Sequence, residues 1–288
     1  MTRTLRRRAR AAAVLLAYLA PVACRDAGAT DPPLPADAVR VTPPAVYARW
    51  WAQTEVCSGL TGDLAAVQWY VVPGADSVPR GAGRRDAAAY WSSASNRVVL
   101  ASHVARDGGT VRHEMLHALL GPAATGHPPA YFQGRCDGWV ECPAVGCADE
   151  GSPPPAAPAD AAVLPASALP ISVELLPSVV RRVPGDSGVT VVVRVTNPRP
   201  EPVWVELASP FQCEPCADYN GFGFNLDSPG GTGTQYMTAV RRFALSAGGS
   251  KLRAIDWDLA NYPVGTYQVG GTFNYDSSLT RAALRIGS

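Results

Sequence analysis

Short runs of alternating apolar and polar residues mark the second half of the chain. Residues 189–196 place four valines on one face, which is the period-two pattern of a strand buried on one side. Similar alternation or β-prone composition occurs at 171–176, 203–207, 235–244, 251–257, 267–273 and 280–286. These runs amount to about seven or eight strands in about 120 residues, which predicts an antiparallel β-sandwich.

The pattern in residues 45–120 is different, because helix-like and strand-like runs occur together. Pro43-Pro44 is a helix-start signal, and a second helical run follows Asp107 and ends at Gly121-Pro122. The predicted elements are a helix at 45–56, strands at 66–72 and 97–101, and a helix at 111–120. This order predicts an α+β domain.

Proline-rich stretches separate these parts of the chain. Residues 24–44 are rich in Ala and Pro and predict a tether. Residues 151–169 repeat Pro without periodicity, which is typical of an extended linker. We therefore predict two domains, at 45–150 and at 170–288.

The first 23 residues have the features of a signal peptide. Five arginines and no acidic residue occur in residues 1–10, and an apolar stretch too short for an ordinary membrane span follows. Pro21-Val22-Ala23-Cys24 then resembles the lipobox of bacterial lipoproteins, although Pro21 stands where Leu is usual. The resemblance implies export, lipidation of Cys24 and a membrane anchor in the bacterial cell envelope; ordinary cleavage would instead give a secreted protein.

Removal of residues 1–23 changes the charge balance. The whole chain has 25 basic and 24 acidic residues. Loss of the five leader arginines leaves 20 basic against 24 acidic residues, a net charge of −4. This acidic balance argues against nucleic acid as a partner.

The seven cysteines fit an exported protein, because disulfides persist in oxidising compartments. With Cys24 lipidated, six cysteines remain, and about fifteen pairings of them are possible. The pairing that proximity in sequence favours is Cys142–Cys147, Cys213–Cys216 and, for the two that remain, Cys57–Cys136.

The segment His113-Glu114-Met115-Leu116-His117 carries the strongest chemical signal. Residues four apart on a helix lie on one face, so both imidazoles can reach one zinc ion while Glu114 faces a water activated by it. All four histidines of the chain lie between residues 103 and 127. This clustering favours a metal site over histidines used only in packing.

A catalytic zinc ion needs a third protein ligand and an open position. We predict His127 as the third ligand, because Gly121-Pro122 ends the helix and lets the chain turn back toward the ion. Other candidates for this position remain open. They are Glu141, Glu150, Asp137 and His103.

The motif and its helical setting resemble the active site of the zincin metallopeptidases. The resemblance covers at most residues 45–150 and is specific at only five positions. It implies a zincin-like α+β domain that cleaves a peptide or protein substrate with a zinc-activated water, Glu114 acting as general base. The chain departs from the metzincin pattern HExxHxxGxxH, since Leu120 and Ala123 replace its glycine and its last histidine.

A smaller resemblance concerns the second domain. Residues 262–267, Tyr-Pro-Val-Gly-Thr-Tyr, resemble the late hairpin of bacterial immunoglobulin-like domains, including the BsuPI proteinase-inhibitor family. The fold that this implies is an all-β immunoglobulin-like sandwich following the zincin-like domain. No inhibitory residue is carried over from that family.

Two functions are compatible with these features. The first is a zinc-dependent hydrolase, specifically a metallopeptidase. The alternative is a non-enzymatic surface lipoprotein that has a structural or vestigial metal site and binds a partner through its β domain. The small first domain leaves little room for a substrate-binding lobe and supports the alternative. Three protein ligands and an open position would favour the enzyme, whereas four would favour the binding protein.

Overall fold

The computed structural model shows a mixed α+β protein, with two α-helices and fifteen strands in the residues that it describes. The described residues are 31–80, 86–124, 126–141, 162–165, 168–206, 219–228, 231–239, 242–273 and 280–288. Residues 31–288 form one compact unit. Several predicted features lie outside the described residues, namely the signal peptide at 1–23, Cys24, Glu150, and the pairs Cys142–Cys147 and Cys213–Cys216.

A four-stranded sheet forms in the first half of the chain. Its strands are β1 (Val39–Val41), β2 (Gln68–Val72), β3 (Ala89–Ser92) and β4 (Arg97–Ala101), in the order β1-β2-β4-β3. β2 and β4 are parallel, and the two edge strands pair antiparallel with them. The prediction for β4 is confirmed at both ends. β2 begins two residues later than the predicted start at 66, because Asp63 caps a short 3-10 turn over Leu64–Ala66.

Two helices, α1 (Ala45–Ser58) and α2 (Gly108–Leu120), accompany this sheet. The carboxylate of Asp107 caps α2 by accepting hydrogen bonds from the backbone N–H groups of Gly109 and Thr110. The helix therefore begins three residues before the predicted start at Val111. It ends as predicted at Gly121, whose φ of 69° favours glycine.

The helices and the sheet share one apolar core. Its largest fully buried side chains lie on α1, β2, β4 and α2, and burial of such an apolar side chain stabilises the fold by about 1.5–3 kcal/mol. Members of this core are Tyr47, Trp50, Trp69, Val99, Leu100, Val111 and Met115. Packing of Val111 and Met115 fixes one side of α2 against the rest of the domain.

The chain after α2 packs against the helix through a second, smaller core. Leu116 of α2 contacts Phe132, Cys136 and Val140, which lie on and after a one-turn π-helix at Ala130–Arg135. A disulfide joins Cys136 to Cys57 near the end of α1. The predicted Cys57–Cys136 pair is therefore confirmed, and it ties this returning segment to the first helix.

We call residues 162–288 the C-terminal β-region, since the regular elements described there are strands apart from short turns. The strands are β5 (Val163–Pro165), β6 (Ile171–Leu176), β7 (Val179–Arg181), β8 (Gly188–Thr196), β9 (Val203–Glu206), β10 (Tyr219–Ser228), β11 (Gly231–Ala239), β12 (Arg242–Leu245), β13 (Ser250–Asp258), β14 (Gly265–Phe273) and β15 (Thr280–Gly287). The described strands thus exceed the seven or eight predicted. The excess arises because β5, β7 and β10 were not predicted and because the run at 235–244 contains parts of two strands.

Three sheets build the C-terminal β-region around one core. Their strand orders are β11-β10-β14-β15-β7, β12-β9-β5 and β13-β8-β6. The core contains the predicted inward valines of β8 together with Phe224, Tyr267 and Leu284. Most pairings are antiparallel as predicted, but the edge strands β5 and β7 pair in parallel. Alternation of side chains is the same in both kinds of pairing and does not encode strand direction.

Parts of the predicted tether and linker are ordered. Asp31 forms an ion pair with Arg97 at 3.1 Å, and β1 lies within residues 24–44. Within residues 151–169, β5 pairs with β9, and Leu169 is buried in the core of the C-terminal β-region. Proline-rich composition therefore does not prevent these segments from packing.

Charged contacts join α1 to the C-terminal β-region. Both guanidinium nitrogens Nε and Nη2 of Arg49 donate to the Asp186 carboxylate, at 3.1 and 2.9 Å. The Nη1 atom of Arg49 donates to the hydroxyl of Thr190 at 2.8 Å. None of the helices in the described part of the chain has the length and apolar character needed to cross a membrane.

Candidate metal centre

Helix α2 brings two of the predicted ligands together. His113 and His117 are one helical turn apart, and their Nε2 atoms lie 3.2 Å from each other. His113 is 7% exposed, and His117 is partly buried. The helix thus presents two imidazole nitrogens to one point at the edge of the small second core.

His127 joins them from the segment that follows the helix. Positive φ angles at Gly121 and Gly126, 69° and 68°, help the chain to turn back. The Nε2 atom of His127 lies 3.0 Å from that of His113. The three ligand atoms all lie within 4.8 Å of one another.

These separations fit a shared metal ion. Tetrahedral coordination with metal–nitrogen bonds of about 2.0–2.1 Å separates two ligand nitrogens by about 3.3 Å. The observed separations of 3.2 and 3.0 Å are close to this value. His113, His117 and His127 are therefore close enough to bind a metal ion.

A backbone carbonyl orients the ring of His113. The Nδ1 atom of His113 lies 2.7 Å from the carbonyl oxygen of Glu141. Because a carbonyl oxygen can only accept, Nδ1 carries the proton, and the lone pair of Nε2 is available to a metal. Such an outer hydrogen bond fixes both the tautomer and the direction of a ligating imidazole.

An aromatic ring supports all three histidines. Phe132, 1% exposed, lies 4.9 Å from the ring of His113, 4.9 Å from that of His117 and 4.8 Å from that of His127, measured between centroids. The histidines therefore share one apolar support, which limits the movement of each ring. The neighbouring Tyr131 packs against the same small core, and its ring also stacks with the guanidinium of Arg135.

The surroundings keep the metal-facing histidines neutral. Burial lowers the pKa of His113 to about 3 and that of His117 to about 2, because the imidazolium form loses its hydration. Charge on a neighbouring histidine lowers both pKa values further. Neutral imidazole is the form that ligates a metal, so both rings are ready to bind at neutral pH.

Glu114 lies on the same helix and is nearly buried, at 6% exposure. Burial raises the pKa of Glu114 to about 8, since the carboxylate is poorly hydrated. The charge of Arg80 and a hydrogen bond from the backbone of Trp91 act in the opposite direction on that pKa. Glu114 is thus a carboxyl group whose protonation changes near neutral pH.

The other candidate ligands have different partners. The carboxylate of Asp137 pairs with Lys251 at 2.8 Å, and that of Glu141 pairs with Arg253 at 2.7 Å. His103 is exposed on the turn before α2. In the described part of the chain, none of these three belongs to the histidine cluster.

Sequence reasoning missed several residues around the site. Trp91 lies on the unpredicted strand β3, and its ring is parallel to that of His117 with centroids 6.4 Å apart. Arg112, the neighbour of His113 in α2, is fully buried and pairs with Asp256 at 2.7 Å. In the sequence, the only sign that Arg112 is buried is its position next to His113 in a largely apolar helix.

Comparisons with known proteins give no matching family model and no significantly similar curated protein. The chemistry of the site must therefore be argued from its own residues.

Proposed function

We propose that this protein is a zinc-dependent hydrolase, specifically a metallopeptidase, whose metal centre consists of His113, His117 and His127. The observation that carries the proposal is the convergence of three imidazole nitrogens, together with a buried carboxyl group on the helix that carries two of them. Three imidazoles suit Zn²⁺, and catalytic zinc sites combine three protein ligands with one open position. Neither Asp137 nor Glu141 adds a fourth ligand among the described residues.

Glu114 is the proposed general base. A Zn²⁺ ion bound at the three histidines would supply a Lewis acid that polarises a carbonyl group and activates water. Glu114 would take the proton of the attacking water and pass it to the leaving amine. The charge of Arg80 and a hydrogen bond from the backbone of Trp91 favour the ionised form of Glu114, and a Zn²⁺ ion held by the three histidines would lower the pKa of Glu114 further.

The chain outside the metal centre supports an exported protein. Residues 1–23 form the proposed signal peptide, and Cys24 is the proposed lipid attachment site in the bacterial cell envelope. The disulfide Cys57–Cys136 fits an oxidising compartment. We further propose that residues 45–150 have a zincin-like fold and that the C-terminal β-region is an immunoglobulin-like sandwich.

Metal analysis combined with a hydrolysis assay tests this proposal. We expect purified wild-type protein to retain about one equivalent of zinc and to cleave members of a mixed peptide library, with chelator abolishing cleavage. Glu114→Gln should keep the zinc but lower the cleavage rate by at least about 100-fold. The matched control is Glu174→Gln on the exposed face of β6, which should cleave like wild type.

Undiminished cleavage by Glu114→Gln would overturn the role of Glu114. Absence of zinc from the wild type would overturn the metal centre itself.

Burial favours a second candidate, a surface lipoprotein with a structural metal site. His113 and Glu114 are each less than one tenth exposed, and a structural site needs no access for substrate. In this case the protein would bind zinc without cleaving any peptide, and Glu114→Gln would change nothing measurable. The same pair of assays therefore separates the two functions.

A further inference from the structure

The C-terminal β-region touches the supports of the proposed metal centre through strand β13. The backbone N–H of Ala254 donates to the carbonyl of Gly138 at 2.8 Å, on the edge of β13 that no strand of its sheet covers. Gly138 has a φ of 79°, and a Cβ there would lie 1.9 Å from the carbonyl oxygen of Leu252. Only glycine allows this close approach, so residues around Gly138 are fitted against β13.

One connection from β13 leads to the ring of His113 through Glu141. The Nη2 atom of Arg253 donates to the Oε2 atom of Glu141 at 2.7 Å, and the Arg253 side chain is 12% exposed. The backbone of the same Glu141 is fixed by a 2.9 Å hydrogen bond from its N–H to the carbonyl of Gly109 in α2. Its own carbonyl accepts the Nδ1–H of His113. A single residue, Glu141, therefore connects Arg253 to the proposed metal ligand His113.

A second connection leads through Arg112, the neighbour of His113 in α2. Its Nη1 atom donates to the Oδ2 atom of Asp256 at 2.7 Å, and its Nε donates to the carbonyl of Trp139 at 2.8 Å. The other carboxylate oxygen of Asp256 accepts from Trp50 at 2.8 Å and from Thr190 at 2.6 Å. A fully buried guanidinium requires such a partner, because an unpaired buried charge is strongly unfavourable.

Helix α2 also packs closely on the Asp256 carboxylate. A Cβ at Gly108 would lie 2.0 Å from its Oδ2 atom. Asp256 therefore contacts α2 at the first turn and, through Arg112, at the turn that carries His113. A negative charge beside a helix N-terminus is favourable, which adds to this contact.

We propose that Arg253 and Asp256 are positioning residues for His113, so that the C-terminal β-region is part of the metal centre and not an independent binding module. Arg253 holds the Glu141 backbone that orients the His113 ring, and Asp256 fixes the helix on which that ring is carried. If either contact is lost, the Nε2 atom of His113 can move away from the ligand nitrogens of His117 and His127. The inference rests on the proposed metal centre and does not depend on peptide hydrolysis.

Zinc affinity of the full-length protein, measured by competition with a chromophoric chelator at pH 7, tests this inference. We expect Arg253→Ala and Asp256→Asn each to weaken zinc binding by about 10- to 100-fold, the effect typical of losing an outer partner of a ligating histidine. Arg253→Lys, which keeps a cation near Glu141, should recover most of the affinity. The visible spectrum of the Co²⁺-loaded variants should change as well, because it reports ligand geometry.

Two variants serve as matched controls. Lys251→Ala removes a cation from the same strand, but its ion-pair partner Asp137 does not belong to the histidine cluster of the described residues. Asp186→Asn removes one partner of Arg49 on α1, and Arg49 keeps its contacts with Thr190 and Asp256. Both should bind zinc within about twofold of wild type, far less than the loss expected for an outer partner.

The inference is overturned if Arg253→Ala and Asp256→Asn bind zinc as tightly as wild type does. It is also overturned if the two control variants lose as much zinc affinity as Arg253→Ala and Asp256→Asn lose. Zinc binding without hydrolysis in the wild type would refute the proposed peptidase and leave the inference standing. A wild-type protein that binds no zinc would refute both.

Discussion

The ring of Phe132 stands almost perpendicular to the ring of His127, at 89° and with 4.8 Å between the centroids. An edge-to-face contact of this kind is a favoured arrangement of two aromatic rings. His127 lies on a turn outside the helix, and this contact restricts the position of its ring. The apolar support is therefore part of what makes the three-histidine arrangement possible.

Truncation of that support should loosen the site. We expect Phe132→Ala to lower the free energy of unfolding by about 3–5 kcal/mol, because a large buried ring is replaced by a cavity. It should also weaken zinc binding, since three histidine rings lose a shared contact. Phe273→Ala in the core of the C-terminal β-region should show a similar loss of stability with normal zinc affinity. Denaturant unfolding and chelator competition on both variants would check this, and equal zinc affinities would contradict it.

The role of His127 can be distinguished from that of the exposed His103 by zinc affinity. His127→Ala should lower zinc affinity by more than about 100-fold, because losing a ligand costs more than losing an outer partner. His103→Ala removes an imidazole from an exposed turn and should leave zinc affinity unchanged. Full zinc occupancy in His127→Ala would show that another residue is the third ligand.

Stability of the metal-free protein should depend on pH in a specific way. The pKa values of His113 and His117, lowered by burial to about 3 and about 2, lie below the unfolded value of about 6.5. The contribution of these two histidines to the free energy of unfolding is complete above about pH 6.5 and is lost as the pH falls. The pKa of Glu114, raised by burial to about 8, acts oppositely, and its contribution is lost as the pH rises from about 4.5 to 8.

Together these three groups predict a stability maximum near pH 6.5 for the metal-free protein. Between about pH 4.5 and 6.5 the two histidines are protonated only in the unfolded chain, whereas Glu114 is protonated only in the folded protein. Unfolding therefore takes up one net proton, and the free energy of unfolding rises by about 1.4 kcal/mol per pH unit. Above that range the Glu114 contribution alone remains, and stability falls at a similar rate. Urea unfolding with chelator present measures both slopes. Glu114→Gln should abolish the fall between pH 6.5 and 8, and a persistent fall would assign it to other groups.

The disulfide Cys57–Cys136 should contribute strongly to stability. It closes a loop with a sequence separation of 79, for which the chain-entropy model gives about 4.5 kcal/mol. The double variant Cys57→Ala, Cys136→Ala should therefore lose about that much unfolding free energy under oxidising conditions. A denaturation midpoint equal to that of wild type would show that the bond does not constrain the unfolded chain.

Local signals in the sequence predicted the elements that carry the histidines. Asp107 and Gly121 mark the ends of α2, and the alternating valines mark β8, because capping and side-chain period are short-range effects. β3 was not predicted, since four residues, Ala89–Ser92, are too few to establish a period. The start of α2 was placed late because Gly108 and Gly109 are weak helix formers, although Asp107 and tertiary contacts hold them in the first turn.

The contacts around the site were much harder to predict. The spacing of His113 and His117 follows from helix geometry, whereas the pairing of Arg112 with Asp256 joins residues 144 positions apart. No periodicity or motif relates two such positions. Glu141 was considered as a metal ligand for its carboxylate, but its backbone carbonyl is the group that contacts His113.

The ion pair between Arg112 and Asp256 also limits when, during synthesis, the first half of the chain can finish folding. Residue 256 leaves the ribosome long after the histidine helix, and contacts of such sequence separation form late in folding. Until β13 is in place, the helix carries an uncompensated guanidinium that resists burial. The first half of the chain therefore cannot reach its final packing before residue 256 has been made, and the three histidines reach their final arrangement only after that point.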